Sequence, residues 1–367
     1  MAFAPLVAPA DALPADERER AARQLRLPEI GDLGQRRLRA ARVIVIGAGG
    51  LGSPVLQYLA SAGVGVIGIG DDDVVDASNL QRQVLFATTD IGRPKAEVAA
   101  ERVQSLSPHT QVVRHDERLT SANAERLLRG YDLVIDGTDT FETRYDVADA
   151  ADRLGLPLVW GSVLRFDAQA TVFWSRPSSG QPLRLRDVFP TAPPPDEVPS
   201  CAEAGVLGAL CGQLGGILAA EAVKLIVGIG EPLVGRMLVI DALSARTREI
   251  PLRPAPQPPA SEGGHTRVSF DDLDRLGPTL LLDVREPEEF AAGSIPGAVS
   301  LPLGQLRTDP RAVPTDAVIV IYCQLGPRAR LAADALQTEH PAADIRLLDG
   351  GYAAWQRRHR STVGSDA

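Results

Sequence analysis

The feature that most constrains the fold is an apolar run that breaks into glycines and then opens a helix, at residues 43–54. Gly47 permits a tight turn after the buried strand, and Gly52 allows the following helix to pack closely on that strand. Gly49 and Gly50 let backbone N–H groups approach a phosphate, which the amino terminus of the helix also faces. The pattern predicts a mononucleotide-binding unit. By itself it does not separate NAD, FAD, S-adenosylmethionine and ATP.

Length, charge and cysteine usage limit the function classes. The chain has 367 residues, more than one hydrophobic core normally holds, so we expect about two domains. Its formal net charge of −9 argues against a surface for duplex nucleic acid, and we expect no direct binding of that kind. Cysteine stands at three widely spaced positions, Cys201, Cys211 and Cys323. An odd set so placed is typical of thiols in a reducing cytoplasm, not of a disulfide framework.

Two segments need to be weighed as targeting or membrane signals. Residues 1–15 have no Lys or Arg before their apolar residues and are interrupted by prolines, so we interpret them as a disordered leader and not as a signal peptide. The apolar stretch at residues 204–230 carries Gln213, Glu221 and Lys224 in its interior, which a membrane span rarely accepts. We therefore predict a core helix there, no membrane association and a cytoplasmic location.

Strands and helices alternate along most of the chain, which predicts an α/β fold with a Rossmann-like, doubly wound parallel sheet. A proline-rich loop at residues 176–200 interrupts this alternation and leads to Cys201. Residues 254–264 have the proline and glycine composition of a linker. The predicted domains are therefore residues 16–253, which carry the nucleotide-binding unit, and a smaller α/β domain at residues 265–360.

Charged residues follow the predicted strands of the first domain where a nucleotide would bind. Asp71 ends the second strand, where a carboxylate can bind a ribose hydroxyl. Arg82, within residues 78–83, and Lys95 are two cations placed to neutralise a triphosphate. Asp139 follows a later strand and could hold Mg²⁺ against phosphate oxygens. A dehydrogenase would share Asp71 but has no need of the two cations. Each residue alone could instead be a surface charge or a helix cap.

Several motifs in the first domain occur in the order found in one family of enzymes. They are Gly-Ala-Gly-Gly-Leu-Gly at 47–52, Ser-Asn-Leu-Gln-Arg-Gln at 78–83, Gly-Arg-Pro-Lys at 92–95, Asp-Gly-Thr-Asp at 136–139 and Cys-Ala-Glu-Ala-Gly at 201–205. The first domain thereby resembles the MoeB/ThiF family, the ubiquitin-activating-enzyme-like adenylyltransferases of molybdopterin and thiamine biosynthesis. The resemblance implies ATP-dependent adenylation of the C-terminal glycine of a small ubiquitin-like sulfur-carrier protein ending in Gly-Gly, with release of pyrophosphate.

The same resemblance implies roles for individual residues. Asp139 is the expected Mg²⁺ ligand and, with Arg82, a catalytic residue. Arg23 is expected to reach into the site of a partner subunit, which predicts a homodimer. The residues expected to serve ATP are Gly47, Gly49, Gly50, Gly52, Asp71, Ser78, Asn79, Leu80, Gln81, Arg82, Lys95, Asp139, Thr140 and Arg23.

The first domain departs from the family's pattern at two places. The family often carries two Cys-x-x-Cys pairs that bind zinc, but the first region here reads Pro-Leu-Arg-Leu at residues 182–185, and the second falls in the predicted linker. We therefore predict no zinc site. Thr140 stands where asparagine is usual, which would alter one phosphate or metal contact while leaving Asp139 intact.

The second domain has a signature of its own, made of Leu-Asp-Val-Arg-Glu at 282–286, Ile-Pro-Gly-Ala at 295–298 and Cys-Gln-Leu-Gly-Pro-Arg at 323–328. Backbone N–H groups of that last loop, the helix that follows and Arg328 all favour a thiolate, and its persulfide, at Cys323. Pro327 removes one possible N–H donor. The motifs resemble the rhodanese domain, and the spacing between cysteine and arginine is one residue shorter than in cysteine phosphatases. The alternative is a buried, inert cysteine, which is the expectation for Cys211.

Together the two domains predict one reaction sequence. A persulfide sulfur on Cys323, supplied by thiosulfate or by a cysteine desulfurase persulfide, attacks the acyl-adenylate and gives the carrier thiocarboxylate. Cys201 acts as a second nucleophile, through an acyl intermediate or by resolving an acyl disulfide. The sequence leaves open whether the carrier serves molybdopterin, thiamine, cysteine or tRNA thiolation. The sequence also leaves open two other classes of function, an NAD(P)-dependent oxidoreductase and a non-catalytic carrier-binding scaffold.

Overall fold

Two units, Met1–Pro256 and Gln257–Ala367, make up the fold in a computed structural model of the chain. The structure describes residues 3–192, 204–253, 265–273, 275–324 and 326–360. Cys201 and the predicted linker at residues 254–264 lie outside the described residues. The predicted domain bounds therefore stay predictions.

The first unit is built from alternating strands and helices. Its strands are β1 (Arg42–Ile46), β2 (Val66–Gly70), β3 (Gln111–His115), β4 (Leu133–Asp136), β5 (Leu158–Leu164), β6 (Asp167–Phe173), β7 (Arg236–Asp241) and β8 (Arg246–Pro251). Its helices are α1 (Ala15–Arg20), α2 (Gly31–Ala40), α3 (Gly52–Ala62), α4 (Lys95–Leu106), α5 (Ala124–Leu128), α6 (Phe141–Leu154), α7 (Leu185–Val188) and α8 (Gly208–Val227). β1 and β4 are almost wholly apolar because both faces of the sheet are covered.

These strands form one sheet in the order β3-β2-β1-β4-β5-β6-β7-β8. The first five are parallel, which confirms the doubly wound fold, and the chain order reverses between β1 and β4, where such sheets bind ligands. β6, β7 and β8 are antiparallel, whereas we predicted a parallel sheet. The reason is the connection between β5 and β6, which consists of Arg165 and Phe166. Two residues close an antiparallel hairpin but cannot make a parallel crossover.

The helix α8 is a core helix, as its interior polar residues predict. It is long and apolar enough to span a membrane by length and composition, but Leu214 and Leu218 are fully buried in the core that α8 shares with α3. Glu221 is buried as well, accepts the N–H of Leu233 at 2.8 Å and forms an ion pair with Lys224. The polar groups of this helix therefore have partners inside the protein.

The amino-terminal segment packs on the first unit, whereas we expected a disordered leader. Phe3 stacks on Trp174 with ring centroids 6.3 Å apart. The N–H of Leu6 donates to the carbonyl of Leu225 at 3.3 Å, and Leu13 is buried. The scattered apolar residues of this segment show no periodic pattern. They nevertheless cover apolar surface of the core, and the removal of that surface from water stabilises the folded unit.

The second unit is a smaller α/β domain. Its strands are β9 (Thr266–Val268), β10 (Thr279–Asp283), β11 (Val299–Ser300), β12 (Val318–Tyr322) and β13 (Ile345–Leu348). Its helices are α9 (Phe270–Leu273), α10 (Pro287–Ala291), α11 (Leu303–Thr308), α12 (Pro327–Glu339) and α13 (Gly351–Arg360). The strands form a parallel sheet in the order β11-β10-β12-β13-β9. The edge strands β9 and β11 are too short to show periodicity, so the sequence does not predict them.

Candidate active site

The loop between β1 and α3 forms part of a cavity wall at the carboxyl ends of the parallel strands. Gly47 has a φ of 86°, and its N–H donates to the carbonyl of Gly70 at 2.7 Å, which ties the loop to the end of β2. The hydroxyl of Ser53, in the first turn of α3, donates to the carbonyl of Ala48 at 2.9 Å. The glycine loop is therefore held in shape by its own neighbours.

Replacement of Gly52 by alanine is expected to destabilise the first unit. A Cβ here would lie 1.8 Å from the carbonyl oxygen of Gly47, a backbone atom that cannot shift without opening the loop. Overpacking of this kind costs about 3 kcal/mol of unfolding free energy. Gly212→Ala in α8 is the matched control, because nothing lies within 4 Å of its Cβ position and alanine favours a helix by about 0.5–1 kcal/mol. Urea unfolding of both variants gives the comparison, and equal stabilities would contradict the tight packing under Gly47.

A cavity of about 330 Å³ opens beside the glycine loop. The fold brings most of the predicted nucleotide-binding residues to its wall from separate parts of the chain. They are Gly47, Gly49, Gly50, Asp71, Arg82, Lys95, Asp139 and Thr140. Gly52 lies beneath the loop and permits its close approach to α3. That these residues bind nucleotide stays a prediction.

Lys95, the first residue of α4, is buried at the cavity wall with 6% of its surface exposed. Its ammonium nitrogen lies 2.8 Å from a carboxylate oxygen of Asp73, whose side chain is 70% exposed. The neighbouring Asp71 accepts the N–H groups of Ala48 at 2.7 Å and of Asp73 at 3.0 Å. Burial raises the pKa of Asp71, although Lys95 and the two N–H groups oppose that rise. Because Asp73 is exposed, Lys95 can exchange this partner for a phosphate oxygen.

Arg82 lies against the glycine loop, with its Cγ and Cδ atoms 3.5 Å from the Cβ position of Gly50. Its guanidinium donates to the carbonyl of Ser78 at 3.2 Å. Asp76 accepts both the N–H and the hydroxyl of Ser78, and Asn79 accepts the N–H of Asp76 at 3.1 Å. Ser78 and Asn79 therefore build the turn that carries Arg82. The described structure does not place Ser78, Asn79, Leu80 and Gln81 on the cavity wall.

The segment after β4 forms another part of the wall. Asp136 is fully buried, and its Oδ1 accepts the N–H and the hydroxyl of Thr138 at 2.9 and 2.6 Å. Burial raises the pKa of Asp136, and the charge of Arg144 opposes that rise. The guanidinium of Arg144 donates twice to the carbonyl of Thr138, at 3.1 and 2.8 Å. These bonds fix the turn, while Asp139 and Thr140 are exposed at the cavity.

The cavity wall also contains residues that are not predicted as site residues from the sequence. Arg144 is one of them, and Gln83 is another. Gln83 is 4% exposed, and its Oε1 has no hydrogen-bond partner in the part of the chain that the structure describes. Cys211 is buried, as expected, but its Sγ also lies 3.1 Å from the Cβ position of Gly50. The available signal for Gln83 is its place directly after Arg82 in the motif.

Asp139 fits the chemistry of a Mg²⁺ ligand in a nucleotide site. Mg²⁺ is usually held there by one or two carboxylates together with substrate phosphates. One exposed carboxylate on the cavity wall meets that requirement. Within the described ranges, no group of three or more His, Cys, Asp and Glu side chains could hold a metal ion by itself. That finding does not test the prediction of no zinc, because part of the chain lies outside the description.

Arg23 is a further predicted residue that the described structure does not place on the cavity wall. Arg23 directly precedes the 3₁₀ turn at Gln24–Arg26 and is exposed. It does not belong to the wall that the described residues of its own chain form. Cys201 lies outside the described residues, so its role stays a prediction.

The second candidate centre lies at the carboxyl end of β12. Cys323 is 1% exposed, and the N–H of Gly326 lies 3.1 Å from its Sγ. Gly326 has a φ of 125°, a backbone conformation that favours glycine. The N–H of Tyr352 donates to the carbonyl of Cys323 at 2.9 Å and holds the loop from the side of α13. The loop thus offers a backbone donor to the sulfur, as stabilisation of a thiolate or persulfide requires.

A buried arginine ties this loop to β10. Arg285 is 2% exposed and forms a bidentate ion pair with Asp283, with the closest contact at 2.6 Å. Its guanidinium lies over the ring of Tyr352 at 3.9 Å from the centroid and donates to Oε1 of Gln324 at 3.3 Å. Arg285 therefore contacts Gln324, which follows Cys323, and Tyr352, whose N–H binds the carbonyl of Cys323. The motif at residues 282–286 does not predict these contacts by itself.

Arg328, which we expected to favour a thiolate at Cys323, forms an ion pair with Glu289 and also interacts electrostatically with Cys323. Its two terminal nitrogens donate to the two carboxylate oxygens of Glu289 in α10, at 2.5 and 2.8 Å. This ion pair raises the pKa of Arg328 and lowers that of Glu289. The loop therefore holds Cys323, Gly326 and an arginine whose charge is already compensated.

These features define a class of protein, a Rossmann-type nucleotide-binding unit followed by a unit with a cysteine loop. Known protein families match both units of the chain. The model of the ThiF family matches residues 21–260, and that of the rhodanese-like domain matches residues 269–358.

Two curated relatives match along most of their own length. The probable adenylyltransferase/sulfurtransferase MoeZ of Mycobacterium tuberculosis is 44% identical over 381 residues, which cover 96% of this chain and 96% of that protein. The sulfur carrier protein adenylyltransferase of Thermus thermophilus is 51% identical over 261 residues, 71% of this chain and 96% of that protein. Among solved structures, E. coli MccB with MccA-N7isoASN matches with a TM-score of 0.57 and 19% identity over 65% of this chain and 73% of that chain, which shows the fold alone.

The chain therefore belongs to the ThiF family and carries a C-terminal rhodanese-like domain. It is an enzyme, an adenylyltransferase and sulfurtransferase. Both resemblances drawn from the motifs are confirmed. The oxidoreductase and the non-catalytic scaffold are set aside.

Proposed function

We propose that the enzyme uses ATP and Mg²⁺ to adenylate the C-terminal glycine of a ubiquitin-like sulfur-carrier protein, and then converts that glycine to a thiocarboxylate with sulfur from Cys323. The Thermus relative is, by name, a sulfur carrier protein adenylyltransferase, which supports this substrate class. The observation that carries the proposal is the gathering of Arg82, Lys95 and Asp139 beside the glycine loop.

In the first step, a carboxylate oxygen of the carrier's glycine attacks the α-phosphorus of ATP, and pyrophosphate leaves. The leaving group carries the charge that develops, so fixed cations at its oxygens lower the barrier. Lys95 can take such an oxygen in place of Asp73, and Arg82 lies against the glycine loop on the wall of the same cavity. Bound Mg²⁺, held through Asp139, would supply further neutralisation of phosphate charge. We expect Asp71 to bind the ribose hydroxyls.

In the second step, the terminal sulfur of a Cys323 persulfide attacks the carbonyl carbon of the acyl-adenylate, and AMP leaves with the bonding electron pair. The product is an acyl disulfide that joins the carrier to Cys323. The N–H of Gly326, 3.1 Å from Sγ, supports the Cys323 thiolate that takes up the sulfur before this step.

Release of the thiocarboxylate needs a thiol. Attack of the Cys201 thiolate on the Cys323 sulfur would expel the thiocarboxylate and leave a disulfide between the two cysteines, which an external dithiol must reduce. An acyl intermediate on Cys201 is the other route. Either route requires reduced thiols, which supports the predicted cytoplasmic location.

The direct test is incubation of the protein with ATP, thiosulfate and each candidate carrier, followed by mass spectrometry of the carrier. We expect a gain in mass that corresponds to replacement of one carboxylate oxygen by sulfur. A carrier that lacks its last glycine is the matched control and should not change. Failure of every Gly-Gly carrier to gain sulfur, while ATP is turned over, would contradict the proposed acceptor.

We further propose a homodimer in which Arg23 serves the partner's site. Arg23→Ala and Lys95→Ala are each expected to be inactive in pyrophosphate exchange, because one lacks the arginine and the other a wall cation. Heterodimers of the two variants should recover about a quarter to a half of wild-type exchange per dimer, since one of the two sites is then complete. Co-purified heterodimers with two different affinity tags allow the measurement. No recovery in verified heterodimers would place Arg23 in its own chain's site or in none.

A further inference from the structure

The ion pair between Arg328 and Glu289 bears on which sulfur donor the Cys323 site accepts. Arg328 follows Cys323 at the start of α12, and Glu289 lies on α10. The two side chains are 26% and 35% exposed, so the pair lies at the rim of the loop and not in the core. Both terminal nitrogens of the Arg328 guanidinium donate to Glu289, so those two N–H groups are not available to a sulfur donor.

Glu289 is fixed in this position by more than the ion pair. Its Oε2 also accepts the N–H of Glu286 at 2.9 Å, the side-chain half of a capping box at the start of α10. The hydrogen bonds from Arg328 keep the pKa of Glu289 below its usual value, so the carboxylate is charged throughout the neutral range. Glu286 and Glu288, on the same turn, are exposed.

Arg285, the other arginine near Cys323, does not offset the negative charge of Glu289. Arg285 is buried and bidentate to Asp283, so that pair is neutral overall. The charged groups described beside Cys323 at the start of α12 are therefore Glu289 and a guanidinium whose charge Glu289 compensates. For thiosulfate, a dianion whose sulfonate oxygens need compensating cations, this is an unfavourable site.

We propose that Glu289 sets the donor preference of the Cys323 site, disfavouring the dianion thiosulfate and favouring a donor with a single negative charge, the class to which the persulfide of a thiol belongs. This inference rests on the proposed sulfur transfer through Cys323. With thiosulfate, the Cys323 thiolate attacks the outer sulfur, the S–S bond breaks and sulfite leaves with the electron pair. With a thiol persulfide, the same attack on the outer sulfur releases the thiolate of the donor.

Glu289→Gln separates charge from structure, because glutamine can still cap α10 but no longer neutralises Arg328. With cyanide as acceptor, we expect kcat/KM for thiosulfate to rise about tenfold in this variant. The Coulomb energy of a monoanion at the same site is half as large, so methanethiosulfonate should gain only about threefold. Glu288→Gln, which removes the exposed neighbouring carboxylate, is the matched control and should change neither value more than about twofold.

The outcomes separate this inference from the proposed function. A fall in both activities of Glu289→Gln, or an equal change for dianion and monoanion, would show that Glu289 only holds Arg328 in place, and would overturn the inference. ATP–pyrophosphate exchange should be the same in all three proteins. If sulfur transfer from both donors persists in Cys323→Ala, the proposed sulfur step itself fails and the inference fails with it.

Discussion

Replacement of Asp139 by alanine is expected to lower carrier-dependent ATP–pyrophosphate exchange by at least about 100-fold while leaving thermal unfolding unchanged. Asp139 is exposed on the cavity wall, next to the turn that Arg144 fixes through the carbonyl of Thr138. The substitution therefore removes no core contact, but it does remove the oxygen ligand that Mg²⁺ would use there. Exchange of labelled pyrophosphate into ATP, with the carrier present, measures the effect.

Two controls make this result specific. Asp116→Ala removes an exposed carboxylate after β3 that forms an ion pair with Arg114 and is not itself among the described residues of the cavity wall, and it should retain exchange. Asp139→Ala should also retain sulfur transfer from thiosulfate to cyanide, since Cys323 belongs to the other unit. Exchange at the wild-type rate in Asp139→Ala would remove this residue from the nucleotide site.

Positions at the ends of parallel strands could be predicted from the sequence. Asp71 and Asp139 each follow a buried apolar strand, and carboxyl ends of parallel strands meet at one edge of the sheet. The glycines of residues 47–52 identify the same edge. This is why most of the predicted nucleotide residues line one cavity although they are distant in sequence.

Residues that act through a turn could not be told from residues that line the cavity. Ser78 and Asn79 stand in the same motif as Arg82, so the sequence predicts the same role, contact with ATP, for all three residues. In the structure, Asp76 and Asn79 form a capping box with the first turn of a short 3₁₀ helix, so their side chains serve the backbone. Polar residues at such turns satisfy local N–H groups before they can reach a ligand.

Partners that come from distant elements were beyond sequence reasoning. Arg328 and Glu289 are 39 residues apart, and only the packing of α10 beside the cysteine loop brings them together. The antiparallel edge of the first sheet is a different case, because the two-residue connection between β5 and β6 was a usable signal.

Cys323→Ala is expected to abolish both thiosulfate sulfurtransferase activity and thiocarboxylate formation, while ATP–pyrophosphate exchange continues at the wild-type rate. Cys323 is buried at the end of β12 with the N–H of Gly326 directed at its sulfur, so alanine removes the nucleophile and little else. Loss of a buried thiol leaves only a small cavity, and the variant should remain folded. Exchange, cyanide-dependent thiocyanate formation and the mass of the carrier are the three measurements.

Cys211→Ala is the matched control for loss of a buried thiol, because this cysteine is equally buried but lies in the first unit. Cys211→Ala should keep thiosulfate sulfurtransferase activity. This holds even if ATP–pyrophosphate exchange changes because Cys211 lies next to Gly50 in the glycine loop. The contrast separates loss of the nucleophile from loss of a core side chain. Thiocarboxylate formation from thiosulfate at the wild-type rate in Cys323→Ala would show that the carrier receives its sulfur without this cysteine, and the two-domain mechanism would then fail even if adenylation by the first unit were intact.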